Sequence, residues 1–133
     1  MEDLARGANF QIAAEDGIVR CRVMNPANVD RDEGARCAQL MHETLVGQVL
    51  VRRSIYRALV FDVREAPEVF GPKTRSALEQ LFRAAEGSKM RLAVRVSASA
   101  IQRLQFSSLC RECAPRSGKL TLTDADERAW VGG

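Results

Sequence analysis

Few side chains in this chain could do covalent or acid–base chemistry, and their spacing limits each of them. Cys110-Arg111-Glu112-Cys113 is a CxxC. A redox pair of this kind works at a helix N-terminus, where the dipole lowers a thiol pKa; this one falls at the end of a helical pattern, where the dipole acts the other way. A structural zinc needs two more ligands at matched spacing. Cys21 on a strand pattern and Cys37 on a helix pattern do not supply them, so no metal and no cofactor are expected. Cys113 reads as core filler and Cys110 as a semi-exposed thiol. His42 is the only histidine, and nothing fixes a nucleophile beside it. Asp62 closes an apolar run, where a catalytic carboxylate could stand, but no second acid or base accompanies it. Capping a helix or pairing with Arg64 is its plainer role, and no catalytic residue is expected.

Recognition chemistry remains. Two strand-to-helix junctions, Gly71–Thr74 and Ser97–Ala100, offer unpaired backbone N–H groups at the carboxyl edge of a sheet. Gly71, Lys73, Thr74, Arg75, Ser97 and Ser99 are the candidate contacts for an anion. The plainer role for Ser97 or Ser99 is to cap its helix, and no glycine-rich phosphate loop accompanies the site. The loop from Arg64 to Pro72 is both acidic and apolar, which suits a protein partner. Arg64, Glu68, Val69, Phe70 and Lys73 are its candidate contacts, with Phe70 either the anchor or a staple on the following helix. Thr74, in a first helical turn, is the position that would best tolerate a phosphate; as with Ser76, its ordinary role is an exposed helix residue.

The elements that must position these residues follow from hydrophobic patterning. Phe10–Ala14 and Ile18–Val23 flank Asp16-Gly17, a hairpin signal. In the second arm Val19, Cys21 and Val23 form the apolar face. Asp30 with Glu33 resembles a capping box opening a helix that runs to about Leu50, with Ala38, Met41, Leu45 and Val49 as its stripe. A buried strand, Tyr56–Val63, leads through Gly71-Pro72 into a helix ending near Gly87. Then come the strand Arg91–Val96, a helix from about Ala98 with Ile101, Leu104, Leu109 and Cys113 inward, the short strand Lys119–Thr123, and a final helix capped by Asp124 that docks Trp130 and Val131. Alternation of strands and helices predicts an α/β layer fold, with a mixed sheet of about four or five strands, an N-terminal β-hairpin and about four helices. Residues 1–9 read as a flexible tail and 10–131 as one domain.

At 133 residues and 46% hydrophobic, the chain can bury one normal core. Its net charge of +3 comes from cations spread along the whole length, without the basic face and stacking aromatics of nucleic-acid binders. The first residues show no secretory leader, and no run reaches membrane-spanning length. A cytoplasmic protein with reduced thiols is the expectation.

Three segments carry a family likeness: LVFDVREAP, RLAVRVSASA and KLTLTDADERAWV, with EDGIVRCRV before them. Together they resemble the STAS domain, in its SpoIIAA-like branch grouped with the CRAL-TRIO lipid-transfer fold. The resemblance implies a bacterial, non-enzymatic regulatory or protein-interaction module. Anti-sigma-factor antagonists of that kind carry a phosphorylated serine before their second main helix; here Phe70-Gly71-Pro72-Lys73 stands there, without a hydroxyl. The CRAL-TRIO relationship implies the alternative, a carrier or sensor of a small anionic or lipid-like ligand. A strand edge at Ile18–Val23 or Lys119–Thr123 would admit a homodimer.

Overall fold

The computed structural model describes residues 1–132. Six strands form one sheet in sequence order: β1 (Glu2–Arg6), β2 (Phe10–Glu15), β3 (Ile18–Val23), β4 (Ala58–Asp62), β5 (Arg91–Arg95) and β6 (Gly118–Thr121). The first three pair antiparallel; β3 to β6 run parallel. Four helices complete the chain: α1 (Arg31–Thr44), which continues as a π-helical segment over Leu45–Val49, α2 (Pro72–Ser88), α3 (Ala100–Cys113) and α4 (Asp124–Gly132). No described helix is long and apolar enough to cross a membrane.

The Asp16-Gly17 turn forms as expected. Both residues have positive φ, 54° and 79°, the backbone that the right-handed twist of a two-residue hairpin requires. Each later strand-to-strand crossover steps the same way along the sheet, so right-handed connections put α1, α2 and α3 on one face. Leu59, Phe61, Leu92 and Val94 point into the main core beneath them. The alternate residues Ala58, Val60 and Ala93 face α4, packing on Val131 and Trp130. Because β4 and β5 are covered on both sides, their sequences are continuous apolar runs.

Three expectations are corrected. Residues 2–6 form a strand, not a tail, so the sheet has six strands instead of four or five. The segment EDLAR is too short and too charged for a periodic signal. It is held by pairing with β2 and by half-buried Leu4 and Ala5. The strand Ile18–Val23 is internal; the open edges of the sheet are β1 and β6. On α3, Leu109 and Cys113 are buried as expected, but Ile101 and Leu104 are exposed, and Gln102, Phe106 and Cys110 are buried in their place. Ser99 caps the helix by accepting from Gln102 N at 3.2 Å, and this cap sets a register that an apolar-only count misses.

Candidate functional site

At the carboxyl ends of β3 and β4 the chain leaves the sheet in two loops, Met24–Asp30 and Val63–Gly71. Between them, on the face covered by α1 to α3, lies a half-open groove of about 420 Å³. Phe61, Val63 and Phe106 form its base, Met41 and Leu78 its walls, and Val69 its rim. It is apolar because it is the uncovered end of the main core. Its polar groups are few: Asn9, Asn25, Asp30, Arg31 and Thr74.

The two helices that start at this groove are capped differently. Asp30 Oδ1 accepts from Glu33 N at 2.8 Å, which closes α1. Gly71 is the N-cap of α2 and has no side chain to accept with. Pro72 lacks an N–H, so the first-turn N–H groups of α2 face the groove mouth without a side-chain acceptor. The Arg31 side chain lies alongside Gly71, 3.6 Å from where a Cβ would stand, a distance of ordinary contact that would accommodate one.

The residues singled out from sequence do not all meet. Val69, Phe70, Gly71 and Thr74 line the groove. Val69 is 70% exposed. Phe70 is half-buried and packs its ring 5.8 Å from that of Phe106 on α3, so it is a staple across to another helix. Glu68 is exposed. Lys73 turns to a separate polar groove between α1 and α2 with Arg36 and Gln80. Arg75 lies near Glu79 and Glu112. At the second junction, Ser97 Oγ accepts from Ser99 N, Ser99 caps α3, and Ser97 N donates to Gln102 Oε1; these hydroxyls have partners of their own.

Gln102 was not singled out. It is buried, and its Nε2 donates to Val63 O at 2.7 Å, tying the start of α3 to the base of the β4–α2 loop. Ser99-x-x-Gln102 is a capping-box pattern, and that signal was available in the sequence.

Asp62 points to the opposite face. In register, Arg22, Asp62, Arg95 and Thr121 cross the sheet in one line. Arg64 grips Asp62 with both ends of its guanidinium, Nε to Oδ1 at 3.0 Å and Nη2 to Oδ2 at 2.8 Å. Arg20 Nη1 donates to Asp62 Oδ2 at 3.0 Å, and its Nη2 donates to Glu127 of α4. Arg95, 7% exposed, donates to Asp124 and Glu127. Burial pushes the Asp62 carboxyl up, but the Arg64 hydrogen bonds and the charges of Arg64 and Arg20 outweigh it and hold the group below the ordinary carboxylate range. A carboxylate bound this way is a strut between sheet and helix and a poor proton acceptor.

Among the described residues, no group of three or more His, Cys, Asp or Glu side chains comes together to hold a metal. All four cysteines are free and buried, Cys110 included, contrary to its expected half-exposure. Burial pushes the Cys110 thiol up to about 12 and raises Cys21 and Cys113 as well. Thiolate is the reactive form, so native alkylation with iodoacetamide at neutral pH is expected to leave Cys21, Cys110 and Cys113 unmodified, with labelling only in denaturant. Rapid native labelling of Cys110 would contradict this burial.

The sequence matches no protein-family model and no curated protein. The fold is similar to that of "NMR Structure of the protein TM1081", with a TM-score of 0.64 and 14% identity over 96% of this chain and 92% of that one. A likeness at this identity speaks for the architecture alone.

Proposed function

We propose that this chain is a non-enzymatic regulatory module, of the STAS-like kind its sequence resembles, that recognises a partner protein at the carboxyl-edge groove. The observation that carries this reading is the groove itself: apolar, half-open and rimmed by the exposed Val69. A buried apolar anchor within a charged rim is the arrangement that concentrates binding energy at an interface; Asp30 and Arg31 are the charged residues lining this groove, and Glu68 is exposed in the adjoining loop. The non-enzymatic part is supported by Asp62, which is tied into ion pairs, and by thiols that resist ionisation.

Val69→Asp is the variant that tests it. Phe70→Asp would remove the contact with Phe106 and cost stability, whereas Val69 contributes little to the core. Proteins retained by an immobilised wild-type column should be lost from a Val69→Asp column, with both proteins melting at the same temperature. A partner that binds both alike would refute the assignment to this groove.

A second reading, a carrier for a small anionic or lipid-like molecule, is favoured by one observation. The groove volume falls within the roughly 300–1,000 Å³ of small-molecule sites and lies beside the open start of α2. Native mass spectrometry separates the two. A bare mass favours the partner module; an added mass that dissociates on collision, together with a higher melting temperature in dodecanoate, favours the carrier.

A further inference from the structure

The opposite edge of the sheet carries a different surface. The chain between the π-helical turn and β4 reads Val51-Arg52-Arg53-Ser54-Ile55-Tyr56-Arg57. Tyr56 is buried and anchors it, while Val51 is 69% exposed and Ile55 59%. Two branched aliphatic side chains thus stand in water with Arg52 and Arg53 between them and Arg57 just beyond, all exposed. The neighbouring strand starts extend the patch. Lys89 caps the end of α2, Arg91 opens β5, and Arg116 and Lys119 flank the start of β6.

Arg91 and Lys119 lie 5.0 and 5.4 Å from the centre of the Trp130 ring, and Arg91 Nη1 also donates to Trp130 O. These two charges are therefore held in place. Among the described residues, none of these seven cations is ion-paired, in contrast to Arg20, Arg22, Arg64 and Arg95 at the carboxyl edge. The acids at this end include Glu2, Glu15 and Asp16, on the β1–β3 side, where the Asp16-Gly17 turn adjoins Ile55 and Arg57, and Glu86. The Glu86 Oε1 accepts from the N–H groups of Arg116 and Ser117. The mild net charge of +3 thus conceals a positive pole over β4 to β6.

We propose that this amino edge docks on the surface of an anionic lipid bilayer, with Val51 and Ile55 entering the headgroup layer and the cations meeting lipid phosphate and carboxylate groups. The cations come from separate loops that end together at one edge of the sheet, which fits a broad planar surface better than a single acidic peptide. A single-stranded nucleic acid would ask for an open stacking ring, and the ring at this edge, Trp130, has Arg91 and Lys119 over it. Cations beside exposed aliphatics are the pattern of interfacial binding, in which charge attracts and apolar side chains hold.

The test is flotation of the full chain with vesicles of phosphatidylcholine alone and with added phosphatidylserine. The expected result is binding to the phosphatidylserine vesicles only, reversed at about 1 M salt, where screening shrinks to a few ångströms. R52A/R53A should weaken binding roughly thirtyfold, and V51S/I55S severalfold, with unchanged melting temperatures because all four side chains are exposed. Equal binding to both vesicles, binding to neither, or variants that float like the wild type would overturn the proposal. So would binding to soluble polyglutamate or duplex DNA without binding to vesicles, which would assign the patch to an acidic protein or a nucleic acid.

Discussion

Phe106→Ala is expected to lower stability by about 3–5 kcal/mol, the range for deleting a buried ring. For a domain of this size that corresponds to roughly 10–20 °C in melting temperature. Phe106 is 2% exposed, and its ring lies 6.2 Å from Phe61, 5.8 Å from Phe70 and 6.4 Å from Phe82. It therefore joins β4, the groove loop, α2 and α3, and no neighbour can collapse into its space without leaving another contact. The loss also has a local signature. With Phe106 gone, Phe70 has no ring to rest on, so amide exchange in residues 66–71 should accelerate more than in β4 or β5. Urea titration with exchange measured by mass spectrometry reads both. A cost below about 1 kcal/mol would mean that the four rings repack freely, and the groove base would then not be rigid.

Glu127→Ala should be nearly as damaging, for an electrostatic reason. The Glu127 carboxylate accepts from Arg20 and Arg95 at once, and the Arg95 side chain is 9% exposed. Removing one partner from a buried ion pair costs about 3–5 kcal/mol because the remaining charge is left desolvated. The low end applies here. Asp124 still accepts from Arg95 at 2.6 Å, and Arg20, 39% exposed, keeps Asp62 and the solvent. Arg95 Nε already lacks a partner, so little reserve remains. Exchange protection should fall first in α4, before β4 and β5 respond.

The same network predicts acid lability. The Asp62 carboxyl is held below its ordinary range, so it binds a proton more readily in the unfolded chain, near pH 3.9. Its contribution is fully present above that pH and is lost as the pH falls towards the folded value. The urea midpoint should therefore change little on this account between pH 7 and about 5 and drop below about 4. Asp62→Asn should be less stable at neutral pH and show a shallower acid limb; an unchanged acid limb would remove Asp62 from this role.

Much of the architecture was legible because its causes are local. Asp16-Gly17 specifies its turn through positive φ, Asp30 its helix start through one side-chain hydrogen bond, and Gly71-Pro72 another start through a missing N–H. Continuous apolar runs marked β4 and β5 because both of their faces are covered. The first strand was not legible, since EDLAR acquires its structure from the edge of β2. The inward face of α3 departs from its apolar pattern because Ser99 and Gln102 set its phase, while the apolar Ile101 and Leu104 lie outside it.

The candidate site divides the same way. From the chain alone, the loop between Arg64 and Pro72 could be read as an acidic and apolar segment, and Asp62 as a carboxylate with an arginine two residues away. Which of these residues share a surface depends on strand order and side-chain alternation. Those put Asp62 beneath α4 with Arg20, Arg95 and Glu127, whose hydrogen-bonded pairs lie 32 to 107 residues apart along the chain, separations no local pattern encodes, and they put Val69 and Thr74 on the groove across the sheet. They also gather cations dispersed along the chain onto one edge of the sheet. Sequence by itself determined the elements other than β1, since each of those depends on a few neighbouring residues; only the tertiary structure decided β1, the groove, the buried ion pairs and the positive pole, because these arise where separate strands and helices lie side by side.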